Sequence, residues 1–257
     1  MEKIKNVSKI LFWPLLLGII QIVIFVISFF FYTNIKSKEI LNKTKLNEYI
    51  NSKGFNLDLL EFMQSNIFII LISISFTLIF IYYLYKYYKK SNEIKKINTP
   101  LIPIIINSIT LSLLLNLVLP SKETNIDFSL YLLITTSILG PVIEELIYRG
   151  LIYNYLKINT KKSIIITTII FSIVHLNIIK MIYAFIIGLY LIYLQKKYQN
   201  IKLPIISHIT MNSFIYILFP LIFNFSEIFK LILIILLTIY IIFTIIKTKT
   251  SIKYIFL

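Results

Sequence analysis

Apolar runs close to the roughly 20 residues needed to cross a hydrocarbon core recur along this chain between short polar connections. They fall at about 10–32, 66–85, 101–119, 128–156, 163–179, 181–195, 203–223 and 231–246. The pattern predicts an all-α polytopic membrane bundle of about eight transmembrane helices. The fifth and sixth runs are short and are parted only by a tight turn near 177–180, so a re-entrant pair is the alternative there. A short basic segment precedes the first run, but that run is too long for a signal-peptide core and has no small-residue cleavage site; it reads as an uncleaved first span.

The connections add detail. Residues 33–65 are polar and mixed in charge, with Ile40, Leu41, Tyr49, Ile50, Leu59 and Leu60 spaced loosely enough for a surface helix. A solvated loop is an equal reading. Tyr82, Tyr83, Tyr85, Tyr87 and Tyr88 beside Lys86, Lys89 and Lys90 mark a span end at the headgroup level. Pro120 is expected to stop the third span. Pro141 lies inside the fourth and cannot donate to the carbonyl of Ser137, which predicts a kink. No repeat or soluble segment stands out, so residues 1–257 read as one integral-membrane domain.

Charge then orients the bundle. The 26 basic against 11 acidic residues would raise nucleic acid as a partner for a soluble protein, but here the lysines sit between apolar runs and report topology. They concentrate at alternate connections: Lys86, Lys89, Lys90, Lys95 and Lys96; Lys157, Lys161 and Lys162; Lys196, Lys197 and Lys202. The intervening short connections carry Lys122, Lys180 and Lys230 singly. Eight spans with both termini cytoplasmic satisfy this alternation. Cysteine is absent, which excludes disulfides and thiolate metal sites.

The fourth span holds the candidate chemistry. Between Phe128 and Leu156 the only charged residues are Glu144, Glu145 and Arg149. Each ionised group near a bilayer centre costs at least about 2.5–3.5 kcal/mol, so three in one span need partners. Arg149 is the only arginine in a lysine-rich chain, which points to a need for its planar fork against a carboxylate. The only two histidines, His175 and His208, both fall inside predicted spans, and Asn212 follows His208 at i+4 on the same helix face. Glu145 and Arg149 share that spacing, while Glu144 is turned by about 100° and addresses other neighbours. At about 1.5 Å per residue, Glu144 and His175 lie roughly 20 Å from the lysines at 157 and 162, which places a site near mid-membrane. It is expected to open to the cytoplasm.

Glu144-Glu145-x-x-x-Arg149, Phe171-x-x-x-His175 and His208-x-x-x-Asn212 resemble, in order, the three motifs of the CPBP family of CAAX proteases and bacteriocin-processing or immunity proteins, also called Abi. The resemblance covers about 128–223. It implies an eight-span helical bundle and endopeptidase cleavage at the cytoplasmic face. Glu144 is then the general base acting on water with His175, and His208 with Asn212 polarises the scissile carbonyl. Glu145 with Arg149 reads as a structural pair supporting them.

Whether a metal takes part stays open at this level. Glu144, His175 and His208 would suit a divalent ion such as zinc. The lack of an HExxH pattern and the unusual choice of Asn212 favour a metal-free, glutamate-activated water. The implied partners are membrane lipid and a peptide or protein substrate, prenylated in the eukaryotic precedent; nucleic acid is not among them. The lysine-heavy, AT-rich character points to a prokaryotic cell membrane. Competing readings are a non-catalytic membrane protein for bacteriocin self-immunity and a proton-coupled transporter.

Overall fold

The computed structural model describes residues 2–40, 42–91, 101–119, 129–156, 160–223 and 225–247. Pro120, Lys95, Lys96, Lys122, Lys157 and the basic residues after Lys247 lie outside them. Among the described residues there are helices and no strands. We number them α1 (Glu2–Glu39), α2 (Lys43–Ile50), α3 (Lys53–Ser65), α4 (Ile67–Ser91), α5 (Leu101–Val118), α6 (Leu130–Tyr155), α7 (Thr160–Ile173), α8 (Ile178–Tyr198), α9 (Lys202–Phe223) and α10 (Glu227–Lys247). Eight of these match the eight apolar runs. Among the described residues six, α1, α4, α5, α6, α8 and α10, are long and apolar enough to cross a membrane. With 14 residues, α7 spans about 21 Å and falls short of a hydrocarbon core of about 30 Å. The protein is a polytopic all-α membrane bundle.

The chain divides into two compact units, Met1–Tyr83 with Ser129–Leu132, and Leu84–Phe128 with Leu133–Leu257. In the first, the stretch 33–65 is helical where a loop was an equal expectation. α1 continues to Glu39, and α2 and α3 follow with side-chain caps. Asn42 Oδ1 accepts from the Thr44 amide at 2.9 Å, and Ser52 Oγ from the Phe55 amide at 3.2 Å. What loose spacing could not reveal is the core these helices share: Tyr32, Phe55 and Leu59 are buried together, with Tyr49 and Phe62 against them. The Tyr49 hydroxyl lies 2.8 Å from that of Tyr32 and donates to Asp58. Burial first, and then the Asp58 acceptor, push this hydroxyl above the usual tyrosine range.

In the second unit α7 and α8 form an antiparallel hairpin, and α9 packs on both α5 and α6. Lipid tails offer no contrast with apolar side chains, so close packing and interhelical hydrogen bonds must hold such helices together. Ser108 and Ser207 meet at 2.5 Å, Ser112 and Tyr183 at 3.1 Å, and Tyr240 donates to Asn107 at 3.0 Å. Ile104, Leu194 and Leu203 cluster at one end of the unit, as do Tyr153, Ile164 and Ile192. Nearer the middle lie Leu115, Ile187, Leu191 and Met211.

Two local features depart from the expected spans. The fifth was expected to run to residue 179, yet α7 stops at Ile173. Leu176 then takes a left-handed φ of 56°, and Asn177 caps α8 by accepting from the amides of Ile179 and Lys180 at 3.0 and 3.1 Å. The turn therefore comes earlier than expected, and His175 lies in it, outside the helix. The fourth span is continuous, but π-type turns at Leu133–Leu139 and Leu146–Ile152 flank an α-helical segment, Gly140–Glu145. The first of those wider turns takes up the discontinuity that Pro141 imposes.

At Gly188 α8 comes close to its neighbours. A Cβ there would sit 2.9 Å from Thr168 Cγ2, 3.1 Å from Phe171 Cδ1 and 3.3 Å from an Arg149 nitrogen. Alanine would gain about 1 kcal/mol of helix propensity, but overpacking a filled core costs about 1–3 kcal/mol. Gly188→Ala is expected to lower the thermal midpoint of the detergent-solubilised protein; an unchanged or raised midpoint would contradict this packing.

Candidate active site

Two helices and one turn deliver the candidate residues. α6 supplies Glu144, Glu145 and Arg149, α9 supplies His208 and Asn212, and the turn after α7 supplies His175. Glu144, His175, His208 and Asn212 line one cavity of about 510 Å³, within the usual size range for a ligand pocket. Glu145 and Arg149 are fully buried beside it, whereas the Glu144 side chain is 37% exposed. Two adjacent carboxylates on one helix thus reach different surroundings, as the 100° turn between them requires.

The buried pair is built around one oxygen. Glu145 Oε1 accepts from Arg149 NH1 at 2.9 Å and lies 2.9 Å from His208 Nδ1. The second arm of the guanidinium points at the Gly188 carbonyl, 3.4 Å away, and its plane lies over the Phe171 ring at 4.1 Å. This differs from a two-pronged grip on one carboxylate. At i,i+4 on one helix the fork reaches one oxygen, and its other donor is used on the neighbouring helix. Lysine has neither the second directed donor nor a face to stack.

Hydrogen bonding sorts the ring nitrogens. An ionised carboxylate only accepts, so the Nδ1 of His208 carries the proton in its bond to Glu145. Its Nε2 faces the cavity, 3.8 Å from Glu144 Oε2. Glu145, expected from the sequence only to pair with Arg149, therefore also engages His208. His175 Nδ1 lies 3.0 Å from the Phe171 carbonyl; a carbonyl also only accepts, so Nδ1 donates and Nε2 is left as an acceptor. Phe171 stands edge-on to both imidazoles, with ring centroids 5.3 Å from His175 and 6.0 Å from His208.

Asn212 is placed by the irregular backbone of α6. In the π-type register the carbonyl of Thr136 would take its hydrogen bond from residue 141, which is proline and has no N–H. That carbonyl accepts from Asn212 Nδ2 at 3.2 Å. The amide has a second N–H for the cavity.

Sequence reading missed other parts of the cavity wall, notably Asn116, Thr136, Lys180 and Tyr183. Asn116 could have been found as a polar residue in an apolar span; Thr136 becomes visible only through the register of α6. Among the described residues no three His, Asp or Glu side chains converge on a point that could hold a metal ion. Glu144, His175 and His208 share the cavity without forming such a set.

Residues 126–214 match a family described as type II CAAX prenyl endopeptidase Rce1-like. A protein of Bacillus subtilis (strain 168), named "Putative membrane peptidase YdiL", is 33% identical over 89 residues. That alignment covers 34% of this chain and 36% of the relative, so the chain spans about a third of the length of the curated protein it matches. No solved structure matches. The matched segment contains all three motifs, from Glu144 to Asn212.

The two carboxylates should separate in stability. Removing one partner of a buried pair costs about 3–5 kcal/mol because the other charge stays buried. An exposed substitution usually stays within about 0.5 kcal/mol. Glu145→Ala is expected to unfold in detergent at a much lower temperature than the parent, and Glu144→Ala close to it. Equal losses would refute the division into a sealed pair and a cavity-facing acid.

Proposed function

We propose that this integral membrane protein, whose segment 126–214 matches the type II CAAX prenyl endopeptidase Rce1-like family, is a CPBP-type intramembrane endopeptidase in which Glu144 activates water. The observation that carries this reading is the sharing of one cavity by Glu144, His175, His208 and Asn212 while Glu145 and Arg149 are sealed away.

In the proposed reaction a water lies between Glu144 and the acceptor Nε2 of His175. Glu144 takes a proton as the water oxygen bonds to the scissile carbonyl carbon. The negative charge that develops on the carbonyl oxygen is met by Nε2–H of His208, acting with both nitrogens protonated, and by the second N–H of Asn212. Such donors are worth most where bulk water is scarce. The carbon–nitrogen bond then breaks, and Glu144 returns its proton to the leaving amine. Glu145 positions His208 by holding Nδ1, and Arg149 holds Glu145. Phe171 packs against the guanidinium and both imidazoles, which fixes their relative level.

The substrate is a peptide or protein segment, and the chain acts in a prokaryotic cell membrane. A library of internally quenched apolar peptides, incubated with the protein in liposomes, tests the assignment. Glu144→Gln is expected to lower kcat/KM by about 10²–10⁴-fold, and Asn212→Ala by about 10²–10³-fold through kcat. Undiminished hydrolysis by Glu144→Gln would overturn the general-base role. Self-protection against a bacteriocin that persists in that variant would favour the non-catalytic immunity reading.

A further inference from the structure

The direction of the helices tells from which side the cavity is reached. The clusters of Ile104 with Leu194 and Leu203, and of Tyr153 with Ile164 and Ile192, put five helix ends at one level. These are the starts of α5, α7 and α9 and the ends of α6 and α8. The same ends carry the lysine-rich connections, with Lys86, Lys89 and Lys90 before α5, Lys161 and Lys162 before α7, and Lys196, Lys197 and Lys202 before α9. The opposite ends carry Lys122, Lys180 and Lys230. Short connections rich in lysine stay in the cytoplasm.

Between the candidate site and the lysine-rich end the described residues are packed against one another. Leu146 and Ile152 on α6, Thr168 on α7, Leu191 on α8 and Ser207 on α9 are all buried. The cavity extends the other way. Beyond Glu144 and the histidines it is lined by Leu119 just past α5, Thr136 two turns before Glu144, Lys180 in the first turn of α8, and Tyr216 one turn after Asn212. Because α7 spans only about 21 Å, the turn that carries His175 sits within the hydrocarbon thickness. The length difference leaves that turn roughly 10 Å short of the lysine-poor surface.

We propose that the cavity opens on the extracytoplasmic face, so that the substrates are peptide segments presented from that side, namely exported chains or the outer parts of membrane-inserted ones. This rests on the protease reading of the cavity, and it reverses both the cytoplasmic opening expected from depth and the cytoplasmic-face cleavage that the resemblance implied. Glu144 is about as far from one end of α6 as from the other, so depth could not choose between faces. The choice comes from which helix ends line the cavity and which are packed against one another.

The chain contains no cysteine, so single-cysteine variants report accessibility without background. Lys180→Cys and Lys162→Cys would each be treated with a membrane-impermeant maleimide in intact spheroplasts and after lysis. Lys180→Cys is expected to label in intact spheroplasts, and Lys162→Cys only after lysis. Labelling of Lys162→Cys in intact spheroplasts, or of Lys180→Cys only after lysis or not at all, would overturn the proposal. Should Lys180→Cys fail to accumulate, Leu176→Cys, 90% exposed in the adjoining turn, takes its place with the same expectations. No turnover is measured, so the outcome stands whether or not Glu144→Gln abolishes hydrolysis.

Discussion

A single carboxylate oxygen, Glu145 Oε1, holds together the two helices on which the site depends. It accepts from Arg149 on its own helix and meets His208 across the bundle, both at 2.9 Å. All three groups are buried, so water can replace neither contact. An unpaired ion at this depth would cost several kcal/mol. The arrangement therefore has little freedom: His208 must present Nδ1 inward, and its Nε2 is left towards Glu144. Arg149 extends the constraint to α8 through the Gly188 carbonyl and to α7 through the Phe171 ring. Four helices are thereby registered by one ion pair and what it touches.

Backbone irregularity does the remaining positioning. Regular α-helices satisfy their own carbonyls and present side chains only at fixed angles. The wide turns of α6 and the proline that follows direct the Thr136 carbonyl to a side chain of another helix, and Asn212 is held there. The early end of α7 has a comparable effect on His175, whose Nδ1 is tied to the Phe171 carbonyl near the helix terminus. Non-helical backbone at membrane depth is tolerated where it lines a cavity or is buried in protein. Here the departures from regular helix lie beside the proposed reacting groups.

Most of the architecture was legible in the chain. Apolar runs of near-spanning length located eight long helices, because lipid imposes length and hydropathy directly on sequence. The candidate residues were legible for a related reason: charged and imidazole groups are costly in such runs, so the few present stand out. The adjacency of Glu144 and Glu145 announced two surroundings, since successive helix positions face different ways. The helices in 33–65 were less visible because Tyr32, Phe55 and Leu59 make a core only when α1 and α3 meet.

By itself, then, the sequence determined which eight apolar runs become helices, where the lysines concentrate and the short roll of residues capable of chemistry. Those follow from one-dimensional costs of placing a group in lipid. Only the tertiary structure decided that Glu145 is shared by Arg149 and His208, that Asn212 takes the Thr136 carbonyl, and that His175 lies past a helix end. It also decided towards which end of the bundle the cavity extends. These are relations between atoms on different helices, and spacing within a helix carries no information about which face a neighbouring helix brings to it.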